Sequence, residues 1–482
     1  MSRTTSSADA SLALWLQHLE DLHPKGQDGI ELGLDQVRTV KDRLAQQQHC
    51  PLIIVGGTNG KGSTCAYLEA IYRFAGYRVG CYTSPHLLDY RERIRIDGAP
   101  VDAETLCAAF ARVEHARAGS FALPIDAGAP VPAGAPSPTP APPSSALTYF
   151  EFGTLAAWEV FTARQCELII LEVGLGGRLD AVNAYTPDCA IISSIDLDHT
   201  EWLGTTRDAI GFEKAGIYRP GTPAICADPK PPDSLLQHAH NIGADLRYLG
   251  RDFGYFGDKQ QWTFWYQDPA QGLVRRSGLA PPGLRGACQL QNAAAALLAV
   301  ESLKARLPVP MQAIRRGLIE PEIAGRFQVL AGRPAIVLDV AHNPQAGRAL
   351  ASNLDEMGFF TQNLAVVGML HDKDIAGTLK PLAGKVALWL LSALDVARGA
   401  SATTLAKIVQ EEQLGGRVEC YANPEEAFHS AVRQAGENDR ILVFGSFHTV
   451  AAVLRRINNP PADPPADPLA NPATDTPTAP PT

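Results

Sequence analysis

The sequence lacks the features that would assign it to several specialised classes of protein. None of its nine cysteines falls in a C-x-x-C pair, so neither a zinc ribbon nor a thiol redox motif is indicated. No apolar run is long enough to span a bilayer, and the first residues lack the basic and apolar segments of a signal peptide. These absences predict a cytoplasmic protein with reduced, mostly buried thiols and no membrane partner.

Positive charge is also in short supply. Lysine and arginine number 42 against 51 aspartate and glutamate, and the formal net charge is -9. A nucleic-acid-binding protein needs a basic face, so no nucleic-acid partner is expected. An anionic small-molecule substrate remains compatible with this balance if helix N-termini, lysines, arginines or a metal surround it locally.

Two stretches contain little that could form a core. Residues 119–146 and 458–482 consist mainly of alanine, proline, glycine and other small or polar residues. Neither stretch buries enough apolar surface to offset the entropy of ordering it, which predicts a disordered insert and a disordered tail. A polyproline segment that binds a partner is the alternative. Cutting the chain after Ile457 should leave activity intact.

The rest of the chain alternates apolar runs with amphipathic stretches, which predicts an α/β fold of two doubly wound domains. The length of 482 residues also favours two or three domains. The runs that predict buried parallel strands are 51–55, 168–173, 190–195, 335–341, 364–370, 386–393 and 440–447. The break between the two units is expected near 320–327, where a proline and a glycine interrupt the pattern.

A glycine-rich loop follows the first of these strands. The stretch "GGTNGKGST" (56–64) places glycines and Lys61 between a strand and a helix start, as a phosphate-binding loop does. It departs from the usual G-x-x-x-x-G-K-[ST] pattern, because Gly62 follows the lysine and the hydroxyls come at Ser63 and Thr64. The order of strand, loop, lysine and hydroxyls nevertheless favours a nucleotide site over a simple helix cap.

Polar residues end two neighbouring strands beside this loop. Glu172 ends the run at 168–173, and Asp196, Asp198 and His199 follow the run at 190–195. Carboxylates and imidazoles at the carboxyl ends of parallel strands face the ligand crevice, where Mg²⁺ bound to phosphates needs ligands. A single carboxylate would more often be a surface charge, so the prediction depends on the two strands together.

Nine motifs in order resemble one family, the bacterial folylpolyglutamate synthase/dihydrofolate synthases of the Mur ligase superfamily. They are "GGTNGKGST", "TSPHLLDYRERIRIDG", "TYFEFGTLAA", "LEVGLGGRLDAVN", "DLDHTEWLG", "EKAGI", "LQNAAAAL", "LDVAHNPQ" and "VFGSFHTV". The resemblance covers about residues 10 to 457, and the family's own loop has the same G-T-N-G-K-G-S spelling.

The resemblance implies an ATP-dependent amide ligase. In this family ATP converts a carboxylate to an acyl phosphate, which the amino group of L-glutamate then attacks. The implied substrates are dihydropteroate, reduced folates and L-glutamate, and the implied state is a monomer. The implied fold places a P-loop ATPase-like Mur ligase domain that binds ATP and pterin at 1–320 and a smaller Rossmann-like, glutamate-binding domain at 326–457, followed by the tail at 458–482.

The resemblance also implies a site, residue by residue. The implied ATP contacts are Thr58, Asn59, Gly60, Lys61, Gly62, Ser63, Asn292, Arg326 and Asp339. Two Mg²⁺ ions are implied, with Ser63, Glu172, His199 and a carbamylated Lys214 as ligands. The catalytic residues expected from the same motifs are Lys61, Lys214, His199, Asp339 and His342.

The substrate contacts are drawn from four motifs. The pterin is expected at Leu32, Gly33, Leu34, Asp35, Ser84 and His86, and the incoming glutamate at His342, Ser446 and His448. The stretch "LGLDQV" (32–37) resembles the dihydropteroate pocket of bifunctional members, which favours both synthase activities. An ordinary loop and helix start is the alternative reading of that stretch. The insert at 119–146 departs from the family and is expected to be a tolerated surface excursion rather than a gate.

Three rival functions are open to test. A chain with folylpolyglutamate synthase activity only would lack the dihydropteroate reaction. A Mur-type cell-wall ligase would bind its UDP-sugar through an extra N-terminal domain. The phosphate loop begins near residue 56, which leaves no room for such a domain before it. A GTPase switch would need an N-K-x-D motif, and the closest match, "HDKD" (371–374), lacks the asparagine.

Overall fold

The computed structural model describes residues 7–22, 31–118, 146–258, 260–286 and 288–459. The predicted insert, apart from its last residue, and the predicted tail beyond residue 459 lie outside these ranges. Two mainly parallel sheets dominate the described chain, and each buries side chains on both of its faces. We call residues 7–319 the N-terminal lobe and residues 325–459 the C-terminal lobe.

The N-terminal lobe is built on an eight-stranded sheet. Its strands are β1 (Leu52–Gly56), β2 (Val79–Tyr82), β3 (Ile94–Ile96), β4 (Ala99–Pro100), β5 (Leu168–Glu172), β6 (Cys189–Ile192), β7 (Pro223–Cys226) and β8 (Asp245–Tyr248). The strand order is β4-β3-β2-β5-β1-β6-β7-β8. All neighbours pair in parallel except β2 with β3 and β3 with β4, so the carboxyl ends of β1, β5 and β6 meet at one edge.

The alternation within β1 divides the core of this lobe. Leu52 and Ile54 belong to one buried cluster, and Ile53 and Val55 to another on the opposite face. Both faces are covered by helices, as a strand that is fully buried requires. These helices are α1 (Ser7–Asp21), α2 (Asp35–Arg43), α3 (Lys61–Phe74), α4 (Ala103–Ala118), α5 (Tyr149–Ala163), α6 (Thr200–Leu203), α7 (Arg207–Ala215), α8 (Asp233–Ile242), α9 (Gln289–Ser302) and α10 (Met311–Ile319).

A small antiparallel sheet, which the sequence pattern did not predict, packs beside α9. Its strands are β9 (Phe253–Gly257), β10 (Trp262–Asp268) and β11 (Gly272–Leu279), in the order β11-β10-β9. Trp262, Phe264 and Tyr266 alternate along β10 and join the buried cluster that contains α3 and α9. This period of two was the available signal for a half-buried strand.

The C-terminal lobe repeats the layered plan on a six-stranded sheet. Its strands are β12 (Gln328–Leu330), β13 (Ala335–Leu338), β14 (Asn363–Val367), β15 (Leu388–Ser392), β16 (Arg417–Tyr421) and β17 (Arg440–Phe444). The order is β12-β13-β17-β14-β15-β16, and only β12 runs antiparallel to its neighbour among these described strands. Its helices are α11 (Pro344–Glu356), α12 (Ile375–Leu379), α13 (Ala402–Glu411), α14 (Pro424–Gln434) and α15 (Phe447–Asn458).

The two lobes meet where the loop after β2 reaches across. Leu87 belongs to the N-terminal lobe by sequence, yet it packs in the buried cluster of the C-terminal lobe with Val340 and Val450. The predicted α/β fold with two mainly parallel, doubly wound sheets is therefore confirmed. None of the helices in the described ranges is long and apolar enough to cross a membrane.

Candidate active site

The phosphate-binding loop lies between β1 and α3, as the sequence predicts. Gly60 caps α3 with a φ of 89°, a left-handed conformation that glycine adopts without strain. The helix begins at Lys61. The Lys61 ammonium donates to the carbonyl oxygens of Gly57 at 3.1 Å and Thr58 at 3.2 Å, so it lies folded over the loop.

The loop is fixed to the end of β6 by several hydrogen bonds. The Thr58 N–H donates to the Ser194 carbonyl at 2.8 Å, and the Asn59 N–H donates to the Ser194 hydroxyl at 3.0 Å. The Ser193 hydroxyl in turn donates to the Asn59 carbonyl at 2.7 Å. Ser193 and Ser194 fall inside the predicted strand at 190–195, but β6 ends at Ile192. The two serines bind the loop instead of extending the strand.

Helix α9 closes the other side of the loop. Asn292 is buried, and a methyl group added to Gly60 would lie 2.5 Å from its side-chain oxygen. The Gln289 amide donates to the Ser63 hydroxyl at 3.4 Å. The predicted nucleotide contacts Asn292 and Ser63 thus both lie where α9 packs against the loop and the first turn of α3.

Glu172 stands at the end of β5, facing the loop. It is buried, and its carboxylate accepts the Ser84 N–H at 3.1 Å. Burial raises the pKa of Glu172, against the lowering effect of the Lys61 charge and of that hydrogen bond. The carboxylate therefore lacks full electrostatic compensation from the protein, as expected for a group whose partner is a bound cation.

Lys214 and His199 complete the wall on the N-terminal lobe. Lys214 is buried near the end of α7, and burial lowers its pKa to about 7, with the Lys61 charge acting in the same direction. His199 follows β6 in a left-handed conformation, with a φ of 50°. Burial lowers the pKa of His199 to about 4, so the imidazole is neutral at physiological pH and its nitrogen is able to bind a metal.

The C-terminal lobe supplies the opposite wall. The Arg326 guanidinium carbon lies 5.1 Å from the centre of the Phe447 ring. Asp339 accepts the backbone N–H groups of Phe327 at 2.9 Å and Ala341 at 2.8 Å, and burial raises its pKa to about 6 despite the Arg326 charge. Asp339 therefore fixes the turn that carries Arg326 and lies behind the pocket wall.

A pocket between the lobes brings together most of the predicted site. Its lining includes the predicted residues Thr58, Asn59, Gly60, Lys61, Gly62, Ser84, Glu172, His199, Lys214, Arg326 and His342. Residues from both lobes thus face one cavity, and three of them, Lys61, Lys214 and Arg326, carry basic side chains. Within the described ranges, no three His, Cys, Asp or Glu residues form a metal-binding group. The predicted metal set holds only two such residues, Glu172 and His199.

Several predicted substrate contacts lie away from this pocket. Leu32 and Gly33 are half-buried, Leu34 is buried and Asp35 is exposed at the start of α2, and none of the four lines the pocket. Ser446 caps α15: its hydroxyl accepts the Thr449 N–H at 3.0 Å. His448 is exposed on that helix rather than packed in the core.

His86 is held by an arginine instead of facing the pocket. The Arg93 side chain donates to His86 Nδ1 at 2.8 Å, and burial together with the Arg93 charge lowers the pKa of His86 to about 4. His86 is therefore a neutral acceptor in this arrangement. Arg93 is itself buried, with its guanidinium 5.3 Å from the centre of the Tyr90 ring.

Sequence reasoning named Asp198 only as a strand-end carboxylate and missed its main role. Its carboxylate accepts Lys373 Nζ at 2.8 Å and the Asn343 amide at 3.1 Å, and His342 Nε2 lies 3.6 Å away. All three partners belong to the C-terminal lobe. Lys373 lies in "HDKD", which the sequence analysis considered only as a failed guanine motif. The separation of 175 residues between Lys373 and Asp198 left no local signal.

Comparison with known proteins gives three kinds of match. The family described as "Mur ligase, glutamate ligase domain" matches residues 325–447. The dihydrofolate synthase/folylpolyglutamate synthase of Escherichia coli strain K12 is 39% identical over 457 residues, which cover 95% of this chain and 98% of that protein.

Solved structures agree with that relationship. The structure of E. coli FolC in complex with DHPP and ADP has a TM-score of 0.81 and 39% identity, covering 94% of this chain and 99% of the other. A bifunctional folylpolyglutamate synthase/dihydrofolate synthase with Mn, AMPPNP and L-glutamate bound has a TM-score of 0.80 and 40% identity. It covers 95% of this chain and 100% of the other.

Proposed function

The chain belongs to the dihydrofolate synthase/folylpolyglutamate synthase family of ATP-dependent ligases, and from that premise we propose how its own residues divide the work of joining L-glutamate to a pterin acid. The overall reaction is ATP-dependent glutamate ligation. We infer both substrates of the bifunctional relatives for this chain, namely dihydropteroate, which gives dihydrofolate, and reduced folates, which give folylpolyglutamates.

One observation carries the proposal. The phosphate loop, two side chains able to bind a metal ion and three basic side chains face a single pocket between the lobes. The basic groups are Lys61, Lys214 and Arg326, and the other two are Glu172 and His199. Transfer of a phosphoryl group to a carboxylate needs positive charge around the equatorial oxygens and two substrates held in line, which this pocket provides.

The loop and α9 are assigned to the nucleotide. The loop leads into the N-terminus of α3, whose helix dipole favours phosphate. Lys61 releases the carbonyl oxygens of Gly57 and Thr58 to reach the phosphates, and Arg326 reaches them from the C-terminal lobe. We assign Asn292 to the adenine side and Asp339 to the ribose side.

The residues of the N-terminal lobe fit a divalent cation. Burial raises the pKa of the Glu172 carboxyl, and a nearby cation would lower it again. Burial lowers the pKa of His199, so its imidazole is neutral. Ser63 supplies a hydroxyl from the first turn of α3. When bound, the ion neutralises phosphate charge in the transition state.

A second ion requires one more anionic ligand, and we assign it to Lys214. Burial lowers the pKa of this lysine to about 7, so a substantial share of its amine is uncharged at neutral pH. An uncharged amine adds to carbon dioxide and releases one proton, and the resulting carbamate would present carboxylate-like oxygens to a cation. The buried position also shields this adduct from water.

The C-terminal wall is assigned to the incoming glutamate. His342 lines the pocket, and its Nδ1 lies 2.9 Å from the Val340 carbonyl oxygen, which fixes the ring orientation. Ser446 and His448 belong to the turn and helix on either side of Phe447, which also lines the pocket. Ser84 and His86, with 32–35, are assigned to the pterin side.

The test compares two folate substrates in one assay. ADP release should depend on L-glutamate in the presence of dihydropteroate and, separately, of tetrahydrofolate. Release with tetrahydrofolate alone would reduce the function to folylpolyglutamate synthase activity. Release that needs neither substrate, or none under any condition, would contradict the ligase assignment. Product mass, increased by one glutamate residue, provides the independent check.

A further inference from the structure

Three side chains of the C-terminal lobe converge on one carboxylate of the N-terminal lobe. Asp198 accepts Lys373 Nζ at 2.8 Å and the Asn343 amide at 3.1 Å, with His342 Nε2 at 3.6 Å. The side chains of Asp198 and Lys373 are each only 9% exposed. This group, which we call the interlobe bridge, is therefore a largely desolvated ion pair rather than a surface contact.

The bridge consists of specific polar contacts to a single carboxylate. Lys373 Nζ donates to Asp198 Oδ1, and the Asn343 amide donates to Asp198 Oδ2. Both carboxylate oxygens of Asp198 are thus paired with groups of the C-terminal lobe. If the lobes separate, Asp198 loses these partners together, so the bridge exists only in the closed arrangement.

The bridge also reaches the reacting side of the pocket. Asp198 accepts the backbone N–H of His199 at 2.9 Å, at the point where the chain turns through a left-handed residue. Lys373 Nζ lies 3.5 Å from His199 Nε2. The carboxylate that receives the C-terminal lobe is therefore the same one that shapes the His199 turn.

We propose that Lys373 is a positioning residue, which acts through Asp198 to set the His199 turn only when the C-terminal lobe is docked. The inference rests on the proposed function, since it concerns the same pocket. It assigns to Lys373 no contact with nucleotide. Turnover should therefore depend on Lys373, whereas nucleotide affinity should not.

A second ion pair across the same interface provides the matched control. Arg348 donates to Asp196 at 2.8 Å, two residues before Asp198, but the Arg348 side chain is 59% exposed. An exposed pair of this kind contributes little. Comparing Lys373→Met with Arg348→Met distinguishes the positioning role from a general loss of charge between the lobes.

The experiment uses the full chain and four variants, Lys373→Met, Lys373→Arg, Asp198→Asn and Arg348→Met. The expected kcat of Lys373→Met is on the order of 100-fold lower, because misplacing a group at the reacting centre has an effect of this size. The dissociation constant for a fluorescent ADP analogue should stay within about threefold of wild type, since no nucleotide contact is assigned to Lys373. Asp198→Asn should behave like Lys373→Met, and Lys373→Arg should recover part of kcat.

Hydrogen–deuterium exchange supplies a readout independent of turnover. The peptide covering 196–204 should exchange faster in Lys373→Met than in wild type and remain unchanged in Arg348→Met. The double variant Lys373→Met/Asp198→Asn should be no worse than either single variant, as expected for residues acting as one unit.

Two results would overturn the inference. One is a Lys373→Met variant with wild-type kcat and wild-type exchange at 196–204; the other is a loss of nucleotide affinity as large as the loss of kcat. A wild-type protein with no glutamate-dependent ADP release would instead refute the proposed function. In that case the exchange experiment still decides whether Lys373 orders the 196–204 segment.

Discussion

Three ionisable side chains at or behind the pocket wall have pKa values that burial shifts. Glu172, Lys214 and Asp339 are each shifted by burial toward their neutral forms. Groups with such shifts concentrate where ligands bind. Glu172 was predicted from its position at a strand end, whereas Lys214 and the role of Asp339 were predicted only from the family resemblance of their motifs. It did not predict Lys373, because nothing next to it in the chain indicates which carboxylate it meets.

Replacing Lys61 by alanine should abolish the reaction. The ammonium lies 3.1 Å from the Gly57 carbonyl oxygen, directly over the loop to which we assign phosphate binding. Loss of one preorganised charge at a transferring group lowers kcat by on the order of 100- to 1,000-fold. The measurement is glutamate-dependent ADP release. Lys407→Ala, which removes an exposed lysine paired with Glu411, is the control and should match wild type. Full activity in the Lys61 variant would contradict the nucleotide assignment.

Asp180 gives a prediction about pH and stability. Burial raises the pKa of this carboxyl from 3.8 to about 7, against the N–H groups of Leu175 and Val182. Between these pH values the folded state binds more protons than the unfolded state. The free energy of unfolding should therefore fall as pH rises from about 4 to about 7, by up to about 4 kcal/mol.

Urea unfolding of wild type and Asp180→Asn across that pH range is the measurement. The variant has no proton to lose at this position, so its stability should fall less steeply with pH than that of wild type. Glu322→Gln changes an exposed carboxyl and should leave the slope as it is in wild type. Parallel curves for wild type and Asp180→Asn would contradict the predicted burial effect.

At the scale of helices and strands, the site is positioned by the meeting of parallel strand ends. The sequence predicted which strands would bear ligands, because the carboxyl ends of β1, β5 and β6 share one edge. It missed the β9–β11 sheet, whose aromatic alternation is short and lies between stronger α/β signals. That sheet packs on α9 and so supports the helix that carries Asn292.

The contact between α9 and the phosphate loop yields a paired prediction. Gly60 and Gly76 have similar left-handed φ angles, 89° and 94°. A methyl group on Gly60 would lie 2.5 Å from the Asn292 oxygen, whereas nothing lies within 4 Å of one on Gly76. Both alanine variants should lose about 1 kcal/mol of stability from backbone strain, but only Gly60→Ala should also lose nucleotide affinity.

Thermal unfolding and titration with a fluorescent ADP analogue distinguish the two effects. Gly76→Ala should show a lowered melting temperature with a wild-type dissociation constant. Gly60→Ala should bind at least about tenfold more weakly, because the loop or α9 must shift to relieve the contact. Equal affinity in both variants would show that the loop tolerates a side chain at Gly60.

The whole molecule is two layered lobes whose relative placement the sequence could not supply. Each sheet could be predicted from local runs, because strand burial leaves a local pattern. The interlobe contacts could not, since they join residues far apart in sequence, such as Asn59 with Gln345, separated by 286 positions. The net charge of -9 gives no sign of the basic side chains that line the pocket. Overall composition therefore did not predict the local charge of the site.

Removing the proline-rich tail should change neither activity nor stability. Helix α15 runs to Asn458, so the cut belongs after Asn459 rather than after Ile457, in order to keep the last turn intact. The shortened chain should have wild-type kcat and a melting temperature within about 2 °C of wild type, because the sequence of the removed segment has few large apolar residues. A clear fall in either quantity would show that residues 460–482 contact the lobes.

The pocket lies between two bodies instead of inside one, and this bears on polymer products. Because its walls belong to separate lobes, we expect the tail of a polyglutamate product to leave between them without filling a closed chamber. On that expectation, product length would depend on the competition between release and the next addition, and so on the supply of folate and glutamate.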